Sequence, residues 1–337
     1  MEIIRGLHNI RPEHRSTVLT IGNFDGVHHG HKMLLAHLAA KGLELNVKSM
    51  LITFEPQPRE FFAGSSVPAR LTRFREKMTL LMGTDLDQVL LLPFNEATAN
   101  LSANTVVENL LVERLDVRYL VVGDDFRFGQ GAGGDYAILK EAGDRHGFGV
   151  SHMGTLRYEH DRVSSTRVRE VLTDGDFPQA EQLLGHPYFI MGNVVYGRQL
   201  GRQLGVPTAN IRLQRYKAAL EGVYAVSITG AAPNGQSQGQ PTFYTGIANI
   251  GVRPTVDGKE PLLEVHIFDY DGNLYGQFLT VTFHRKLRDE QTFAGLDELK
   301  AQIELDIRTA KQWFADEPPA QRLPFYPPAQ PGGQAGA

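Results

Sequence analysis

The chain has 337 residues, 42% hydrophobic and 21% charged, with a net charge of −4, the make-up of a globular protein of about two domains. Its 34 basic residues against 38 acidic ones leave no basic excess for nucleic acid or for an acidic membrane surface. With no cysteine, disulfides, thiolate metal sites and cysteine nucleophiles are all excluded, which fits a reducing, cytoplasmic setting.

The N-terminal MEIIRGLHNIRPEHRS carries charges and a proline where a signal peptide needs an apolar run, and the runs QVLLLPF and YLVVG are too short to span a bilayer. Up to about residue 185, short apolar runs at 16–22, 47–54, 88–94, 118–123 and 147–154 read as strands. Helix-like stretches at 30–42, 72–83, 104–115 and 134–146 lie between them. The alternation predicts an α/β domain with a parallel sheet covered by helices on both faces. Ligands of such sheets bind at the carboxyl ends of the strands, where GNFDGVHHGH, EPQP and GDDFRFG fall.

From about 186 the texture changes. FIMGNVVYG, GVYAVSIT, TFYTGIANIG, LLEVHIF and FLTVTFH follow one another as strands without helices between them. Asp271-Gly272 between the last two is a hairpin signal, and 230–241 reads as a loop. Leu296, Leu299, Ile303, Ile307, Ala310 and Phe314 recur at helical spacing over 295–315. This predicts a small antiparallel barrel or sandwich closed by one helix, with a disordered Pro- and Gly-rich tail.

Three histidines, His28, His29 and His31, stand between a glycine-containing turn and an apolar helix. The first turn of a helix has unpaired N–H groups and the positive end of the dipole, so it attracts anions. Gly22, Gly26 and Gly30 permit close approach of a ligand, and His28 and His31 face one another while His29 points elsewhere. Two such imidazoles suit a polyphosphate. Zinc would want three or four ligands, and no further ligand cluster stands nearby. Simple capping of the helix end is the bland alternative. In VSSTRVREVL, Ser164, Ser165 and Thr166 open a second helix with Arg169 one turn inside, suiting phosphate contacts better than a capping box. In GDDFRFG, Asp125 fits a loop, a cap or a magnesium shell, while Phe126 and Phe128 suit either stacking on a flat ring or core packing.

In the second half, Gly197, Gly201 and Gly205 recur every four residues around Arg198 and Arg202. The Gly-Lys-Ser/Thr ending of a P-loop is missing, yet such a loop still cradles phosphates through its N–H groups. Pro207 stiffens the turn, and Thr208 and Asn210 offer oxygens for a magnesium shell completed by water and phosphate; a capped β-turn explains the same tetrapeptide. In LLEVHIF, alternation places Leu262, Glu264, His266 and Phe268 on one face. An enclosed carboxylate is costly unless paired or used, and phosphate transfer to an alcohol benefits from a base. An exposed edge-strand glutamate is the alternative.

GNFDGVHHGH resembles the nucleotidyltransferase superfamily. Together with FEPQP, GDDFRFG, SSTRVR, GRQLGVPTANI, GIANIGVRPT, LLEVHIFDYDGNLYG and LRDEQTF, in this order over about residues 1–315, the chain resembles the bifunctional prokaryotic riboflavin kinase/FAD synthetases. The resemblance implies a Rossmann-like FMN adenylyltransferase domain over 1–185, a β-barrel riboflavin kinase domain over 186–316 and a tail over 317–337. It implies riboflavin, FMN, FAD and ATP as substrates or products, with Mg²⁺ accompanying ATP. His28, His31, Ser164, Ser165, Thr166 and Arg169, with Gly22, Asn23, Phe24 and Gly30, would form the adenylyltransferase ATP site, and Asp125, Phe126 and Phe128 its flavin end. Gly197, Gly201, Arg202, Gly205, Pro207, Thr208 and Asn210 would hold Mg²⁺-nucleotide in the kinase site. Glu264 would be the base there, and Arg288 and Phe293 would lie beside the flavin. Gln57 stands where some relatives carry histidine, and Asp125 where they often carry asparagine.

Overall fold

The computed structural model describes residues 1–158, 161–197, 201, 204–230, 242–255, 258–320 and 323. The chain forms two compact units: Met1–Pro68 with Lys77–Arg167, and Ala69–Glu76 with Val168–Ala337.

The first unit is built on a six-stranded parallel sheet in the order β1-β4-β3-β2-β5-β6, comprising β1 (Glu2–Arg5), β2 (Val18–Ile21), β3 (Ser49–Glu55), β4 (Gln88–Pro93), β5 (Tyr119–Gly123) and β6 (Gly149–Met153). The helices that accompany it are α1 (His29–Leu45), α2 (Pro58–Ala63), α3 (Phe74–Met82), α4 (Glu96–Ala99), α5 (Ala103–Thr105) and α6 (Tyr136–His146). α5 runs on into a π-helical stretch, Val106–Arg114. α3 straddles the boundary, so only its part from Lys77 on belongs to this unit. Each predicted strand is present.

β2 is buried along its length because both faces are covered. Leu19 and Ile21 join Met50, Ile52, Leu90, Leu120 and Val122 under Leu110, Leu111 and Leu139. On the other face, Val18 lies close to Gly42 of α1. β3 and β5 flank β2 on opposite sides, so the winding direction reverses there. The crevice at such a switch point is where doubly wound sheets take ligands, and the loops after β2 and β5 carry GNFDGVHH and GDDFRFG.

The second unit holds a closed antiparallel barrel in the order β10-β13-β12-β11-β14-β9. Its strands are β9 (Phe189–Val195), β10 (Ala209–Arg212), β11 (Gly222–Thr229), β12 (Phe243–Thr255), β13 (Gly258–Ile267) and β14 (Phe278–Arg288). A two-stranded ribbon of β7 (Arg157–Tyr158) and β8 (Asp161–Arg162), and helices α7 (Ser165–Asp174) and α8 (Phe177–Leu184), precede it in the chain. The hairpin expected at Asp271-Gly272 is not formed. β13 pairs with β10 and β12, while β14 pairs with β11 and β9, so 268–277 is a crossing connection; closing the barrel outweighs the local turn preference.

The last helix, α9 (Leu296–Asp316), lays Ala310 and Phe314 on Ala225, Ile247 and Phe268. Leu296, expected on this stripe, is 55% exposed at the helix start. Most of the tail after Asp316, and the loop expected at 230–241 apart from Gly230, lie outside the described residues.

Candidate active sites

Residues 22–28 lead from β2 into α1 through a tight turn. Phe24 has φ 49°, Gly26 84° and Val27 43°. A left-handed backbone at a fully buried valine is strained, and surrounding packing must hold it. His28 caps α1: its Nδ1 accepts a hydrogen bond from the His31 N–H at 3.3 Å. With Nδ1 an acceptor, the proton of the neutral ring sits on Nε2, which becomes a donor. The His28 and His31 rings stack with centroids 3.6 Å apart, and Phe24 stacks on His31 at 4.6 Å.

Burial, then His28 and Lys77, hold the His31 pKa well below the ordinary histidine value. A neutral ring is what this close stacking tolerates. His31 Nδ1 is buried without a hydrogen-bond partner. His29 is exposed, as its spacing predicts. A Cβ at Gly30 would crowd the His28 ring at 3.3 Å and reach ordinary contact with the Val163 carbonyl at 3.6 Å, and Ser165 Oγ donates to the Asp25 carbonyl at 2.9 Å. The starts of α1 and α7 therefore lie together, bringing the positive ends of two helix dipoles to one place.

The other expected residues have definite surroundings. Gly22 donates its N–H to the Ile52 carbonyl at 3.0 Å, and Asn23 beside it is half-buried. Ser164 Oγ accepts from the Arg167 N–H at 3.2 Å, so Ser164 acts as a helix cap. Thr166 is exposed. Arg169 falls in the second unit, where its Nε donates to the Ala69 carbonyl. Asp125 is exposed and paired with Arg162 at 2.8 Å, which offsets its charge. Phe128 is buried in the core with Phe126 packed against it, their rings stacked 5.6 Å apart. Lys77, on the part of α3 in this unit, is a group that sequence reasoning missed. It is fully buried, and its Nζ donates to Thr53 Oγ1 at 3.4 Å.

In the second unit, a cavity of about 260 Å³ is lined by Gly201, Thr208, Asn210, Glu264, Arg288 and Phe293 among others. Its floor comes from strand register. Asn210 of β10 lies directly opposite Glu264 of β13, so the two side chains share one cross-strand row. Leu263, Val265 and Ile267 alternate to the buried side. Glu264 therefore stands on an interior strand of the barrel, and the edge-strand alternative does not apply.

Asn210 is buried, and its Oδ1 has no hydrogen-bond partner. A Cβ at Gly197 would collide with the Asn210 amide. Gly201 has its carbonyl bonded by the Val206 N–H at 2.8 Å and lies close to Thr208; Gly205 turns the chain with φ 79°. Pro207 offers its carbonyl to His266 Nδ1 at 2.9 Å, tying the Thr208 turn to β13. Arg202, with Arg198, lies outside the described residues.

At the far end, Arg288 makes a bidentate pair with buried Asp306 of α9, at 3.0 Å from Nε and 2.8 Å from Nη2. Its guanidinium lies 5.7 Å from the Phe293 ring centroid. This pairing was invisible in the sequence, as nothing local links the two positions.

No group of three or more His, Asp or Glu residues able to hold a metal occurs among the described residues. An unpartnered amide oxygen on Asn210 beside a threonine hydroxyl is the donor set that a hard cation carried by a nucleotide would complete. No helix among the described residues is long and apolar enough to cross a membrane.

Residues 10–167 match the FAD synthetase family and residues 184–314 the riboflavin kinase family. The chain is 50% identical over 313 residues to a bifunctional riboflavin kinase/FMN adenylyltransferase of Pseudomonas fluorescens, covering 92% of this chain and 97% of that protein. It is 46% identical over 321 residues to the protein of the same name from Escherichia coli K12, covering 95% and 100%. A crystal structure described as a macrolide-efflux protein from Streptococcus pneumoniae superimposes with a TM-score of 0.74 at 27% identity, covering 93% of this chain and all of that one. Two family matches in tandem, with curated relatives matched along almost their whole length, place the chain in the bifunctional riboflavin kinase/FMN adenylyltransferase family.

Proposed function

We propose that the family's two reactions are carried by two separate sets of residues. The chain is a bifunctional riboflavin kinase and FMN adenylyltransferase, using ATP to convert riboflavin to FMN and FMN to FAD. The kinase reaction is assigned to 186–316 and the adenylyltransferase to 1–185. The observation that supports this most directly is the register pair Asn210–Glu264 inside one cavity, which sets a carboxylate beside oxygen ligands for a nucleotide-bound cation.

In the kinase site, Glu264 accepts the proton of the ribityl 5′-hydroxyl as its oxygen bonds to the γ-phosphorus and the bond to ADP breaks. Thr208 and Asn210 would hold Mg²⁺, which supplies charge neutralisation on the phosphates. Gly197, Gly201 and Gly205 are suited to surround the nucleotide, and Arg288 and Phe293 to border the flavin. In the adenylyltransferase site, the FMN phosphate oxygen attacks the α-phosphorus and pyrophosphate leaves. That nucleophile is already anionic, so the site needs positioning and charge stabilisation in place of a base. His28 Nε2–H, neutral His31, the two helix starts, Ser165, Thr166 and Arg169 are suited to the phosphates, while Asp125 and Phe126 border the flavin. ATP as the shared phosphate and adenylyl donor also supports a cytoplasmic location.

Incubation with riboflavin, Mg²⁺ and ATP, followed by chromatography, should show FMN and then FAD. Riboflavin left unchanged would overturn the assignment.

A further inference from the structure

Asn249 of β12 shares the cross-strand row of the proposed base. β13 runs between β10 and β12, and Glu264 is opposite Asn210 on one side and opposite Asn249 on the other. All three side chains line the same cavity. Adjacent strands lie about 5 Å apart, so the row Asn210–Glu264–Asn249 runs roughly 10 Å across the cavity floor. Both amide oxygens at its ends are buried without hydrogen-bond partners. Buried polar atoms are nearly always satisfied, so an orphan at a cavity wall marks a place for a ligand. Asn210 has its use in the nucleotide site; Asn249 has none so far.

The Asn249 amide is oriented. Its Nδ2 donates to Glu290 Oε1 at 3.3 Å, leaving Oδ1 as the unsatisfied end. The order of the row then fixes what reaches it. The phosphate donor lies on the Asn210 side of Glu264, so the body of the alcohol must extend from Glu264 away from Asn210, over Asn249. We infer that Asn249 recognises the acceptor substrate, its Oδ1 accepting a hydrogen bond from a ribityl hydroxyl other than the one phosphorylated. The inference rests on the kinase reading. It adds a specificity role: Asn249 selects a flavin bearing a hydroxylated chain over the bare ring system.

The test uses the full chain and the FMN-forming reaction. Riboflavin kcat/KM is compared with the inhibition constant of lumiflavin, which has the same ring system and no ribityl chain, and with the KM for ATP. In Asn249→Leu, close in volume but without an acceptor, riboflavin kcat/KM should fall about tenfold or more, the net worth of a buried hydrogen bond. Lumiflavin inhibition and the ATP KM should stay within about twofold. Asn249→Ser, which keeps a hydroxyl acceptor, should recover part of the loss and serves as the test if the leucine variant does not fold. Conversion of FMN to FAD reports that the remainder of the chain is intact. An unchanged riboflavin kcat/KM, or an equal weakening for lumiflavin, overturns the role of Asn249. Failure of the unsubstituted protein to make FMN would instead overturn the kinase reading.

Discussion

At the scale of single residues, protonation separates the two chemistries. Burial, with His28 and Lys77 beside it, holds His31 neutral, and His28, whose Nδ1 accepts the His31 N–H, presents Nε2 as its donor. His28→Ala removes the cap of α1 and the Nε2 donor together; FAD formation should fall at least about a hundredfold while FMN accumulates, read by chromatography. Glu264→Gln keeps the shape and removes the proposed base. FMN formation should fall by about 10² to 10⁴, with conversion of added FMN to FAD retained. His284 titrates away from either set. Burial pushes its pKa down to about 4, and its Nε2 lies 2.8 Å from Ser227 Oγ. The unfolded chain takes up this proton at about 6.5 and the folded one only near 4. Stability should therefore decline as pH falls through that window, by at most about 3 kcal/mol, with no contribution above it. Denaturant melts of His284→Gln should show a shallower slope between pH 6.5 and 4.

At the scale of elements, the strands of the parallel sheet were legible because they are apolar and bounded by breakers. β1 was not: of its four residues only Ile4 is buried, and its place beside β4 comes from tertiary pairing. The opposite failure occurred at Asp271-Gly272, where a genuine turn signal lost to closure of the barrel. Glu264 could be singled out because a carboxylate interrupted an alternating strand. Asn249 left the same kind of mark, a polar amide in TGIANIG where asparagine is disfavoured, and its meaning emerged only with the register. Lys77 left none, since a lysine on a helix reads as solvent-facing. Glu76, on the part of α3 that belongs to the barrel unit, was equally silent. Its carboxylate takes the Arg215 guanidinium at 3.1 Å, both side chains 1% exposed, and the Met191 N–H at 2.9 Å. Removing one partner of such a pair strands the other in low dielectric. Glu76→Ala should cost about 3–5 kcal/mol in a denaturation experiment on the full chain.

At the scale of the whole molecule, the sequence announced two functions by changing texture near its middle, and the family matches at 10–167 and 184–314 follow that change. The chain itself does not divide so cleanly. Residues Ala69–Glu76 belong with the barrel although both flanking segments belong with the parallel sheet. A gene cut near residue 184 would yield a barrel missing its own acidic counterweight. Arg215 would lose both the Glu76 carboxylate and the Arg70 carbonyl, and the β9 amide at Met191 would lose its acceptor. Such a fragment should be poorly folded as cut, and Arg215→Met should raise its melting temperature, whereas the same change in the full chain should lower it. Modularity here depends on one arginine. A barrel of this kind living alone would have to replace that residue or supply an acid of its own.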